Sequence, residues 1–213
     1  LARINRAAGL KGLAGEQPRM DGAALLDRIR AETDTELSRL GSEKLLLAAT
    51  DATLEAEAIA GAILTELATG RERLGAWADA AADDEHGSAL AEAASQFADL
   101  EAAVAEDWPA AAADDDGLLG DLEAPGSDRG RAGAGLLGVP LVLDRLLLQA
   151  VSFHVNEANP TGADRFRERR DDMRGIRDEG AAELARALAD SDDAEEVVAG
   201  AVAYSGKKDK LAV

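Results

Sequence analysis

The chain has 213 residues, no cysteine, two histidines and a formal charge of −19, from 42 acids against 23 bases. That length can hold one good-sized domain with a real core. The missing cysteines exclude disulfides, zinc–thiolate sites and thiol catalysis, and the charge excludes nucleic-acid binding through a general basic surface.

The kind of charge is informative as well. Only Lys11, Lys44, Lys207, Lys208 and Lys210 are lysines, and the other 18 bases are arginine. Alanine is the commonest residue and aromatics make up 3%. Many carboxylates, few lysines and a core of small apolar groups fit a halophilic archaeal protein, because high salt screens the self-repulsion of such a surface. A hydrophobic content of 46% is too high for a disordered acidic chain. No window supplies the ~18 uninterrupted apolar residues of a membrane span. The nearest, Leu136 to Val155, is broken by Asp144, Arg145, Gln149 and His154. The sequence is therefore read as cytoplasmic, without a membrane or nucleic-acid partner.

Residues 1–19 carry Arg3, Arg6, Lys11 and Arg19 against Glu16, opposite in sign to the rest, and are read as a disordered or misassigned N-terminal extension. From Met20 the helical period takes over. Leu25, Leu26, Ile29, Thr33, Leu37 and Leu40 form a first stripe, closed by Gly41, and Ser42 caps a short run from Glu43 to Ala49. A long helix begins near Asp51 or Thr53, carries Leu54, Ile59, Ile63, Leu67, Leu74 and Trp77, and ends near Ala82. Gly61, Gly70 and Gly75 either weaken it or permit close helix approach. Asp83 to Glu85 place negative charge at the start of the next helix. Its stripe is Leu90, Ala94, Phe97, Leu100 and Val104, and it stops before Pro109.

Residues 110–135 hold Gly, Pro, Asp and Ser without a period and read as a long irregular connection. Pro140 then starts a helix that is apolar nearly all round, running to Asn159–Pro160, and therefore buried. Thr161 caps a charged helix over 162–189 whose stripe is Phe166, Met173, Ile176, Gly180, Leu184 and Leu188. A short helix over 193–203 follows, then a disordered basic tail, 205–213. Two helices, a long connection and two helices give an all-α fold: a ferritin-like four-helix bundle with a long crossover over 110–135 and an extra N-terminal helix, one domain spanning 20–204.

The chain has no phosphate loop, no nucleophile elbow and no HExxH motif. With two histidines the metal options are few. His86, with Asp83 three residues earlier, reads as an exposed helix start. His154 lies on the apolar helix, where desolvation lowers an imidazole pKa. It reads first as a hydrogen-bonded core residue. The alternative is a metal site built from His154, Glu157, Asp99, Glu57 and Glu66, Glu157 being three residues on and the others on facing helices. Most helix-borne carboxylates read as solvated face. The run Arg165 to Asp172 reads as intrahelical ion pairs, with an anion-binding patch as the sharper reading.

The segments SEKLLLAATDATLEAEAIAG, EHGSALAEAASQFADLEAAVAED and LLLQAVSFHVNEANPTGADRFRERRDDMR resemble the haloarchaeal rubrerythrin-like group of the ferritin-like superfamily over most of 20–189. The resemblance implies the fold and, in metal-bearing members, a di-iron centre with two Glu-x-x-His motifs. This sequence departs from that pattern. Gln96-x-x-Asp99 stands at the first motif. The helix over 162–189 has no histidine, leaving Glu179 and Glu183 as its inward candidates, and there is no Cys₄ domain. The expectation is a non-catalytic ferritin-like protein acting by assembly, as a homodimer, or by partner binding, with no cofactor. The alternative is a metal-dependent oxidoreductase using iron or manganese at an atypical site around His154.

Overall fold

The computed structural model describes residues 21–40, 43–81, 86–114, 117–188 and 191–205. Every regular element among them is helical. The expectations for 1–19, Gly41, Ser42, Asp83 to Glu85 and 206–213 lie outside the described residues. The helices are α1 (Gly22–Leu40), α2 (Glu43–Ala49), α3 (Ala56–Ala80), α4 (Gly87–Asp107), α5 (Asp128–Gly133), α6 (Val139–Asn156), α7 (Pro160–Ala187) and α8 (Ser191–Ser205).

The apolar stripes fall where their periods place them. Ile59, Ile63, Leu67 and Leu74 of α3, Leu90, Phe97 and Val104 of α4, and Phe166, Met173 and Leu184 of α7 are all buried in one core. Helix α3 begins later than Asp51 or Thr53. Asp51 and Ala52 adopt left-handed backbone, with φ of 46° and 63°, and Ala52 N–H donates to Leu47 O, so these residues close α2. Helix α7 is capped by Asn159, not Thr161: the Asn159 side chain accepts the Gly162 N–H at 3.0 Å, and Pro160 occupies the first turn.

Helices α3 and α4 form one antiparallel hairpin, and α6 and α7 another. Trp108, closing α4, stacks on Phe166 near the start of α7 at 4.0 Å between ring centroids. Gln96, halfway back along α4, hydrogen-bonds Glu179 far along α7. Helices α4 and α7 are thus antiparallel neighbours. The chain must return the length of the bundle between 108 and 127, and it does so along α3. Gly61, Thr65, Thr69 and Arg73 recur every fourth residue, on one face. A Cβ at Gly61 would lie 2.5 Å from Ala112 O. Thr65 Oγ1 accepts the Asp114 N–H at 2.7 Å, and a Cβ at Gly117 would lie 3.0 Å from Thr69 Oγ1. Arg73 donates to Leu122 O at 2.7 Å and to Gly120 O.

The irregular connection is shorter than 110–135. A 3₁₀ turn occupies Leu118–Asp121, and Ser127, accepting the Gly130 N–H, caps α5. Helix α5 then runs through a π-helical turn, Ala134–Gly138, into α6. The Gly-rich composition misleads here because the glycines serve packing. A Cβ at Gly133 would lie 2.1 Å from Val197 O, and one at Gly200 would lie 2.1 Å from Gly130 O. Two helices at that separation tolerate only hydrogen at the crossing. The π turn also accommodates Pro140: Val139 N–H donates five residues back, to Ala134 O. The continuous run 128–156 is long and apolar enough to cross a membrane, and most of it is covered inside the bundle.

Candidate functional site

His154 sits in the last turn of α6, at the end of the bundle where α4 finishes and α7 begins. It is fully buried. Its ring stacks against Phe166 at 5.3 Å, meets Phe153 edge-on at 5.2 Å, and lies 6.1 Å from Trp108. Asn159 Nδ2 approaches His154 Nδ1 at 3.2 Å. Because Asn159 Oδ1 already accepts the Gly162 N–H, its amide group faces the imidazole as a donor. Nδ1 is then the acceptor and the proton resides on Nε2. That Nε2 is buried and has no hydrogen-bond partner among the described residues. Burial lowers the His154 pKa, and the charge of Glu57 opposes this without reversing it. The ring is a neutral packing element. Its one accessible lone pair is committed to the α6–α7 turn, and Gly162 is required beside it: a Cβ there would lie 2.5 Å from Nδ1.

Glu57 comes near enough for its charge to act on the ring, but the proposed companions form no ligand cluster with it among the described residues. Glu57, at the start of α3, is exposed, and so are Asp99 on α4 and Glu157 just beyond α6. Glu66 is buried, at 4% exposure, but faces the returning chain. Its carboxylate accepts the Leu118 N–H and, at 2.9 Å, the Leu119 N–H. Desolvation raises its pKa, opposed by those two hydrogen bonds. Among the described residues no three His, Asp or Glu side chains are grouped so as to hold a metal ion.

Other sequence readings are also redrawn. His86 is buried at 4% exposure, where an exposed helix start was expected; it sits at the α4 N-terminus, its carbonyl accepting the Leu90 N–H. Glu179 and Glu183 point outward, and Glu179 accepts from Gln96 at 2.8 Å. The charged run of α7 is only partly intrahelical. Arg165 and Arg169 reach Asp107 at the end of α4, and Arg170 reaches Asp144 on α6. Asn159, Thr65 and Arg73 were missed by the sequence reading. The signal available for Asn159 was Asn-Pro followed by glycine at the third position, an N-cap pattern.

No protein-family model matches the chain, and no curated protein or solved structure matches it.

Proposed function

We propose that this chain is a non-catalytic ferritin-like helical protein of a halophilic archaeon that works by assembly or by binding a protein partner. The observation carrying this reading is the dispersal of the five candidate metal residues. His154 is held by Asn159 and Glu66 by the crossover, while Glu57, Asp99 and Glu157 face solvent. A di-iron centre needs carboxylates and imidazoles converging in a dry core. The ferritin-like part is supported by the chain path: hairpin, full-length crossover along α3, hairpin, with α4 and α6 running the same way.

The partner-binding part is supported by the α4–α7 seam. Two adjoining clefts of about 470 and 320 Å³ open along it and share Gln96, Ile176 and Glu179. Leu100, Ala103 and Ala93 supply an apolar floor between acidic rims. A second copy of this chain is the first partner to test, since molar salt screens the repulsion of two acidic faces.

The test is elemental analysis with solution mass in molar KCl after iron-loaded expression. A metal-free dimer that dissociates on Ala103→Arg is the expected result. Stoichiometric iron or manganese, lost on His154→Ala, overturns the reading in favour of a metal-dependent oxidoreductase.

A further inference from the structure

A cleft of about 320 Å³ opens where α1, α6 and α7 meet. Its lining reverses the charge of the molecule. Arg170, Arg174 and Arg177 present one face of α7 at four- and three-residue spacing, Arg145 comes from α6 and Arg30 from α1. Against these five guanidinium groups the lining holds two carboxylates, Asp144 and Asp178, and one apolar side chain, Leu141. In a chain of 42 acids and 23 bases this local excess runs against the overall composition.

The cleft is also organised. Asp144, 6% exposed, accepts from Arg170 Nε at 2.9 Å and Nη2 at 3.3 Å, and from Arg174 Nε at 2.8 Å. One buried carboxylate thus fixes two forks while neutralising a single charge. Arg177, 7% exposed, is held by Asp178. Two further acids pair from the outer side: Asp27 with Arg30 at 3.4 Å and Asp171 with Arg174 at 3.3 Å, both strongly exposed. Exposed pairs of this kind hold their partners weakly. Arg145 is half-buried and makes no ion pair among the described residues.

We propose that this cleft binds a small phosphate-bearing anion. Guanidinium is planar, always charged and weakly hydrated, and its fork matches phosphate oxygens. Several forks converging from three helices suit an ion with several oxygens and more than one negative charge, whereas a lone carboxylate is satisfied by one fork. The cleft, about 320 Å³, has room for one or two phosphate groups. Arg145, without an ion pair among the described residues, completes the set, and Asp144 is a positioning residue.

The probe is inorganic pyrophosphate, titrated calorimetrically into the full chain at fixed ionic strength set with KCl. Saturable one-to-one binding is expected, weakened about tenfold or more by Arg145→Gln and removed by the double variant Arg145→Gln/Arg174→Gln. Arg145→Lys should restore part of the affinity, because it keeps the charge and loses the fork. In the absence of anion Arg145→Gln should leave the melting temperature unchanged. Pyrophosphate should raise that temperature in the wild type and not in the double variant. Absence of saturation up to about 10 mM overturns the proposal. So does binding that survives in the double variant, or that chloride matches at equal ionic strength.

Discussion

Glu66 and Arg73, seven residues apart on α3, grip opposite ends of the same 3₁₀ turn. Glu66 accepts the N–H groups that open the turn, and Arg73 donates to the Gly120 and Leu122 carbonyls that close it. Each end of that turn exposes backbone groups without internal partners, and each side chain carries the charge that suits its end. Tyr204 from α8 sits over the same turn. Its hydroxyl reaches Leu119 O at 3.4 Å, Arg73 lies 5.8 Å over its ring, and burial pushes its pKa up to about 12. Glu66→Ala should cost about 2–3 kcal/mol, the range for losing hydrogen bonds to a charged group at a buried site. Glu66→Gln should cost less, about 1 kcal/mol, since it keeps one acceptor and removes the desolvation of a carboxylate. Urea denaturation in constant molar KCl measures both.

His154 gives the protein an acid-sensitive corner. Its folded pKa is lowered below the ordinary 6.5 by burial, so below pH 6.5 the unfolded chain binds the proton more readily than the folded one. Stability should be full above about pH 6.5 and fall as the pH drops through that value towards 5. His154→Phe should flatten this part of the profile, at a fixed cost from losing the acceptor for Asn159. Melting temperatures from pH 8 to 5 read the slope. A slope unchanged in the variant would mean that another group titrates.

Two glycines should respond to alanine in opposite directions. At Gly133 the new Cβ would fall 2.1 Å from Val197 O, a backbone atom that cannot swing away. Gly133→Ala should cost about 3 kcal/mol and push α8 from α5. Gly175 lies inside α7 with no atom within 4 Å of the added Cβ. There alanine should stabilise by about 0.5–1 kcal/mol through helix propensity. Denaturation midpoints compare the two directly.

Asp144→Asn should leave Arg170 and Arg174 facing each other without their shared carboxylate. A loss of about 3 kcal/mol is expected, the penalty for stranding a partly buried charge. A phosphate anion should return part of that loss if it occupies the arginine cleft, read as a larger gain in melting temperature for the variant than for the wild type.

The net charge of −19 predicts a melting temperature that climbs with KCl well beyond physiological ionic strength. Potassium sulfate at equal ionic strength should raise it further, because that salt also strengthens apolar burial. A midpoint that is flat from about 0.2 to about 3 M KCl would contradict salt adaptation, these concentrations being roughly one to twenty times the ~0.15 M at which surface charges are screened over ~8 Å.

What the sequence determined by itself was helical identity and inward faces. The period-3.6 stripes of α3, α4 and α7 name most of their core residues because burial of an apolar face depends on local spacing, and α6, apolar nearly all round, is mostly buried, with Val155 near its end 52% exposed. The long return path was also legible, from the length of the irregular stretch after α4, since a simple up-down bundle needs only short loops. The tertiary structure decided the roles of polar and small residues, which depend on what lies opposite them. Glu66 read as solvated face, with a metal ligand as the alternative, and binds the returning backbone. His86 looked exposed and is buried. Gly130 and Gly133 looked like loop residues and form a helix crossing. Asp144 and Arg145, noted only as interruptions in an apolar run, line a basic cleft with arginines 25 to 32 positions further on and another from α1. A sequence period reports which way a side chain points, and only the packed chain supplies the donor, acceptor or charge that meets it.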